Sequence, residues 1–132
     1  MKSRWEVEVS DEFESWWRSL PEHAQEAIAH DVEVLRAIGP ALGRPWVDSV
    51  RGSRHPNMKE LRTRVGRSAY RILFAFDPRK TAILLVGGDK SGAARFYARM
   101  LEAADRIYDA HLNAIDPRGS ETRGSETRGS KT

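Results

Sequence analysis

A cationic set stands out in the middle of the chain: Lys59, Arg62, Arg64, Arg67, Arg71, Lys90, Arg95 and Arg99, with His55, Tyr70 and Tyr97 near them in sequence. Such a set suits phosphodiester chemistry that needs no metal. Guanidinium groups hold a phosphate bidentately and offset the charge that grows on its oxygens in the transition state. Arginine stays protonated and cannot be the base. A ribose 2′-OH would therefore need a lysine depressed by neighbouring cations, a histidine, or a tyrosine aided by them. Aromatic rings could in addition stack splayed bases, as in single-stranded RNA recognition. The competing reading of the same residues is a solvated basic sheet face that binds an acidic partner peptide.

Charge distribution agrees with an anionic partner. Of the net +3, residues 1–43 carry 4 Lys/Arg against 9 Asp/Glu, residues 44–99 carry 13 against 4, and residues 100–132 carry 5 against 6. The excess in the middle is what a polyphosphate would meet. Other chemistries drop out on residue types and spacing. The absence of cysteine removes thiol nucleophiles, disulfides and cysteine–zinc sites. His23, His30, His55 and His111 have no ligand-like spacing, so no metal is expected, and no cofactor either. Lys90-Ser91 looks like the end of a P-loop, but Leu84 and Asp89 stand where that pattern needs glycines. No G-x-S-x-G elbow occurs. No apolar run approaches a membrane span and the start has no signal-peptide character, so a cytoplasmic protein is expected.

The elements that must position these residues follow from periodicity. Trp5 to Val9 alternates as a strand, and Ser10 or Asp11 can cap a helix carrying Phe13, Trp16 and Trp17. Pro21 opens a second helix with the stripe Ala24, Ile28, Val32, Leu35, Ile38, ended by Gly39-Pro40. Residues 40–57, with Pro40, Gly43, Pro45, Gly52 and Pro56, read as a mostly irregular connection anchored by Trp46, Val47 and Val50. Met58 to Val65 alternates, with Leu61, Thr63 and Val65 on one face and Glu60, Arg62 and Arg64 on the other. After a turn at Gly66-Arg67-Ser68, Tyr70 to Phe76 turns Tyr70, Ile72, Phe74 and Phe76 to the core and Arg71 away from it. Asp77 to Lys80 is a turn. Thr81 to Val86 is apolar enough for a central strand covered on both faces, and Gly87-Gly88 should break it. A last helix is predicted from about Ala93 to Asn113, with Phe96, Met100, Ala104, Ile107, His111 and Ile115 near one stripe and Glu102 paired with Arg106. The order β-α-α-β-β-β-α implies an α+β fold, a small, mostly antiparallel sheet with helices on one face. The hairpin would bring Arg62, Arg64 and Arg71 to the uncovered face.

The stretch Val50-Arg51-Gly52-Ser53-Arg54-His55-Pro56-Asn57-Met58-Lys59-Glu60-Leu61-Arg62 resembles a signature of the phage-derived, HigB-like branch of the RelE/ParE toxin superfamily. Phe74 to Pro78 and Gly88 to Gly92, followed by Phe96-Tyr97 and a terminal helix, are similar to that branch too, and the likeness covers about residues 4–113. The resemblance implies a RelE-like fold and the toxin half of a type II toxin–antitoxin pair. It also implies metal-independent, ribosome-associated cleavage of mRNA by 2′-OH attack, and neutralisation by a cognate helix-turn-helix antitoxin. Carried over by motif, the catalytic positions are Lys59, Arg62, Arg71 and Lys90, with Tyr97 a looser match and His55 a general-base candidate. Arg54, Arg64, Arg67, Arg95 and Arg99 would then hold RNA or phosphate. ParE-like relatives poison DNA gyrase instead, and a purely antitoxin-binding member would also keep this basic face.

Residues 1–116 are expected to form the one domain. Residues 117–132 repeat Arg-Gly-Ser-Glu-Thr from Arg118 and Arg123, then Arg128-Gly-Ser-Lys-Thr, with no side chain fit for burial, so a disordered tail is expected. Truncation after Asp116 should leave the melting temperature within a few degrees of the full chain. A larger drop in a thermal melt would show that the repeat packs on the domain.

Overall fold

The structure is a computed structural model and describes residues 4–90 and 94–116. The order is β1 (Val7–Val9), α1 (Asp11–Arg18), α2 (Glu22–Ile38), a 3-10 turn at Gly39–Ala41, β2 (Val47–Ser49), β3 (Lys59–Val65), β4 (Ser68–Phe76), β5 (Ala82–Asp89) and α3 (Ala94–Ile115). The expected repeat tail lies outside the described residues, as do Ser91 and Gly92 of the glycine-rich segment. No described helix is long and apolar enough to cross a membrane.

Local chemistry starts the elements where the sequence predicts. The Ser10 hydroxyl accepts the Phe13 N–H at 2.9 Å and caps α1, whose first turn holds Asp11, Glu12 and Glu14. Pro21 occupies the cap position of α2 and Gly39 ends it with φ +78°.

The strands form one sheet in the order β1-β5-β4-β3-β2, with β1 parallel to β5 and the other neighbours antiparallel. Helices cover both of its faces, which corrects the expectation of a one-sided sheet. Phe13, Ala24, Ile28 and Leu35 of the helical hairpin pack on Leu61, Tyr70, Ile72, Phe74, Ala82 and Leu84. On the other side Met100, Leu101, Ala104 and Tyr108 of α3 pack on Leu73, Ala75, Ile83 and Leu85. The cause is β5: its continuous apolar run needs cover above and below, and a polar solvent face would leave Leu73, Ile83 and Leu85 in water. The α3 stripe is accordingly rotated from the expected one. Leu101, Asp105 and Tyr108 are buried and Phe96 is exposed, while the expected Glu102–Arg106 ion pair does not form.

Two further corrections concern the strands. Gly87-Gly88 does not break β5, which runs on to Asp89. A Cβ on Gly87 would lie 2.3 Å from the Trp16 ring, and one on Gly88 would lie 2.8 Å from Met100 Sδ and from Phe96. Glycine is needed here because α1 and α3 close on the same strand from opposite sides. The connection before β3 also contains a strand: β2 pairs Val47, Asp48 and Ser49 with Leu61, Glu60 and Lys59. Three residues carry too little alternation to be recognised as a strand.

Ile72 is fully buried at the centre of the hairpin-covered face. Ile72→Ala should lower the unfolding free energy by roughly 2–5 kcal/mol through the cavity it leaves. A urea midpoint indistinguishable from the parent chain would mean that this layer collapses to fill the gap.

Candidate functional site

Hairpin register determines what meets what. β3 and β4 pair Arg62 with Arg71, so two guanidinium side chains stand opposite each other on the α3 side of the sheet. Like charges in that position repel. The sequence supplies the answer two residues earlier on the same face of β3. Glu60 is 4% exposed, and its Oε2 lies 3.0 Å from Arg62 Nε and 3.5 Å from Arg71 Nε. Its other oxygen, Oε1, accepts the Tyr97 hydroxyl at 2.6 Å. One carboxylate thus joins two strands and the first turn of α3.

The surrounding groups tune the cluster. Arg62 is half-buried and also lies 3.7 Å from Asp48 of β2, whose carboxyl is held below its ordinary range by the Arg44 side chain and the Ser49 N–H. Arg71 is more deeply set, with its Nη1 donating to the Tyr70 carbonyl at 3.1 Å. Its Nε is buried without a hydrogen bond and is held by the Glu60 charge instead. Burial, and then the hydrogen bond to Glu60, push the Tyr97 phenol well above its ordinary pKa. Tyr97 therefore keeps its proton, which it donates to Glu60. Lys90 ends the β5 side of the cluster, its backbone N–H on the Ala69 carbonyl at 2.7 Å and its ammonium 4.5 Å from the Tyr97 ring centroid.

Of the residues proposed from sequence, Arg62, Arg71, Lys90 and Tyr97 come together. Arg64 shares their sheet face one pair further along β3 and is exposed, Arg67 sits in the hairpin turn, and Arg95 and Arg99 are exposed on the first turns of α3. Lys59 does not join them. Two residues before Leu61, it belongs by period two to the helical-hairpin face, where its Nζ lies 3.4 Å from the Pro40 carbonyl. His55 and Arg54 do not join them either. Arg54 N–H and the Ser53 hydroxyl bond to Asp105 of α3, His55 Nε2 lies 2.7 Å from Asp109, and Arg54 also pairs with Asp109. The His55 ring meets Tyr108 edge-on at 4.8 Å. Asp109 stands twelve residues beyond Tyr97, about 18 Å along the helix. Adjacency to Lys59 in sequence suggested a shared site, but the loop leads His55 to the far half of α3. There it clips the loop to the helix.

Two residues of the site escaped sequence reasoning. Glu60 was already placed on the Arg62 face, and its value there was the signal: a carboxylate between two arginines on an otherwise covered sheet. Trp46 was read as a core anchor, yet it is 37% exposed. It walls a groove of about 320 Å³ with Pro45, Asp31, Arg62, Thr63, Arg64 and Arg71.

Known proteins give the site a context. A profile for the family described as phage-derived protein Gp49-like matches residues 15–109. Two proteins of Mycobacterium tuberculosis named as toxins are similar over most of the chain. HigB2 is 46% identical over 82% of this chain and 54% of its own length, and HigB3 is 45% identical over 70% and 81%. The chain thus spans about half the length of HigB2. Among solved structures, a variant of the Escherichia coli toxin RelE in the free state superposes with a TM-score of 0.57 at 19% identity, over 79% of this chain and 98% of that one. The toxin–antitoxin complex RelBE2 of M. tuberculosis gives 0.52 at 15%, over 70% and 98%. These structures establish a shared fold.

Acid should loosen the α3 clip. Burial alone would raise the carboxyls of Asp77 and Asp109, but hydrogen bonds from His111 and Arg79 to Asp77, and from His55 and Arg54 to Asp109, outweigh it and lower both. A carboxyl depressed on folding adds stability that is complete above its unfolded value, near 3.8, and is lost as pH falls through the folded value. Urea unfolding should therefore show stability falling from pH 5 to pH 3, with a smaller fall in Asp77→Asn. Equal slopes in the two proteins would remove Asp77 from this account.

Proposed function

The chain belongs to the phage-derived Gp49-like family, the HigB-like branch of the RelE/ParE toxin superfamily, and from this premise we propose that it is the toxin of a type II toxin–antitoxin pair that cleaves mRNA on the ribosome. The observation that carries the reading is the convergence of Arg62, Arg71 and Lys90 around Tyr97 and Glu60. Three cations at one point match a pentavalent phosphorane, and a phenol beside them can protonate a leaving oxygen.

The reaction needs no external co-reactant. The 2′-oxygen of the upstream ribose attacks phosphorus, the P–O5′ bond breaks, and a 2′,3′-cyclic phosphate and a free 5′-hydroxyl remain. Arg62, Arg71 and Lys90 stabilise the charge on the non-bridging oxygens. The 2′-OH proton passes to solvent, since Glu60 is buried with both oxygens engaged, and Tyr97 gives its proton to O5′. Tyr97 then regains a proton from solvent, and Glu60 holds the phenol in place throughout. Lys59 and His55 lie outside this centre and do not act on the phosphate. The cognate antitoxin is the second partner, a role supported by the shared fold of a solved toxin–antitoxin complex.

Expression of the chain alone should arrest growth and deplete mRNA. Arg62→Ala and Lys90→Ala should each lower cleavage of ribosome-bound mRNA by about a hundredfold or more. Substitution of the exposed Lys90 should change stability by no more than ~1 kcal/mol, whereas Arg62→Ala should also cost stability because the buried Glu60 loses a charge partner. His55→Ala should instead reduce stability and leave the cleavage rate per folded molecule close to that of the parent. If the purified chain blocks DNA supercoiling and leaves mRNA whole, the gyrase-inhibitor reading replaces this one.

A further inference from the structure

The groove beside the cation cluster has features the cleavage step does not use. β2 pairs β3 only as far as Leu61, and the Arg62 N–H then donates to the Trp46 carbonyl at 2.8 Å. Beyond that bond, the outer edge of β3 from Thr63 to Val65 pairs with no strand among the described residues. Pro45 and Trp46 leave the sheet there and leave a groove of about 320 Å³ between themselves and Arg62, Arg64 and Arg71. Such a volume lies in the range of small-ligand clefts, roughly 300–1,000 Å³.

Trp46 is the exposed tryptophan of the chain; Trp5, Trp16 and Trp17 are each partly buried. Trp5 meets Phe76, and Trp16 meets Phe13 and Tyr70, so these rings have packing partners. Trp46 has no ring contact among the described residues, although its backbone is fixed to β3. The groove's one acid, Asp31, already accepts the Thr63 hydroxyl at 2.7 Å. An incoming ligand thus meets Trp46 and three guanidinium groups, with Asp31 engaged by Thr63 at the groove wall.

We propose that Trp46 is the stacking platform for an unpaired nucleobase of single-stranded RNA, the base next to the phosphate held by Arg62 and Arg71. The inference rests on the nuclease reading and adds a substrate contact to it. An indole face accepts any base, and the adjacent arginines hold its phosphate, which is the pairing single-strand binders use. A duplex keeps its bases stacked on each other and cannot use the platform. An acidic protein segment would satisfy the arginines, but its charge gives no reason for an exposed indole beside them, whereas every nucleotide pairs a phosphate with a stacking base.

The test uses the full chain and a single-stranded oligonucleotide with 2′-O-methyl groups, which cannot be cut. Binding should quench a part of the tryptophan emission that Trp46→Phe lacks, and the same sequence as a duplex should not. Trp46→Ala should weaken oligonucleotide binding by roughly ten- to a hundredfold and raise KM for mRNA cleavage, whereas Trp46→Phe should recover most of the affinity. Thermal melts of both variants near the parent value are expected, because the ring is exposed. If the parent cuts mRNA and Trp46→Ala binds and cuts equally well, the platform is wrong and the nuclease reading stands. Loss of antitoxin binding in Trp46→Ala with unchanged RNA affinity would make the groove a protein-docking surface and overturn the proposal. A parent chain that neither binds nor cuts RNA would remove both.

Discussion

A hairpin that sets Arg62 against Arg71 puts like charges side by side, and Glu60 supplies the counter-charge from within the same sheet. A buried carboxylate so placed is costly to desolvate and is retained only because its oxygens are occupied by two guanidinium groups and a phenol. This one residue therefore bears on three relations together: the approach of the arginines, the position of the first turn of α3 and, after burial, the raised pKa of Tyr97. An apolar side chain in its place would leave the arginines repelling and Tyr97 without that acceptor. The cationic surface exists because an anion lies underneath it, and its outward-facing N–H groups are left to meet substrate.

The opposite end of α3 is held by a different device. The Gly52 to Pro56 signature bonds to Asp105 and Asp109, while His111 reaches Asp77 beneath the β4–β5 turn. Asp77 also accepts N–H groups from Arg79 and Thr81, so the turn and the helix share one buried carboxylate. The helix residues that make these bonds, Asp105, Asp109 and His111, lie about two to four turns beyond Tyr97, away from the cation cluster. Their effect on chemistry is positional: they fix the helix whose first turn carries the phenol. A family signature can thus be dense in polar residues because it docks a helix.

Much of this was legible in the sequence, and the reasons differ by element. The period-two pattern of Leu61, Thr63 and Val65 against Tyr70, Ile72 and Phe74 predicted the hairpin faces, and Ser10 and Gly39 marked the ends of their helices. Residues 82–86 read as a strand buried on both faces, which conflicts with a sheet covered on one side only. The structure resolves that conflict in favour of the strand. The extension of β5 through Gly87-Gly88 was hidden because glycine usually interrupts a strand, and its reason lies in two helices distant in sequence. For the site, period two already separated Lys59 from Arg62, yet both were grouped by charge. The placement of His55 depended on a tertiary contact with α3 that no local pattern encodes.

The same accounting explains why the basic face alone does not define the chemistry. Gyrase poisoning and antitoxin docking would each tolerate a surface of arginines, and neither requires a protonated phenol next to a buried carboxylate. Arg64 and Arg67 are exposed at the turn end of the hairpin, without ion-pair partners among the described residues, and are the part of the surface that either class of function could use. The Glu60–Tyr97 pair is different. Burial raises the phenol pKa, and the hydrogen bond from Tyr97 to Glu60 fixes the direction of the proton. A phenol held protonated beside cations able to hold a phosphate has no part in binding an acidic surface, and it is the physical argument for the proposed reading of the cluster as a catalytic centre rather than a docking patch.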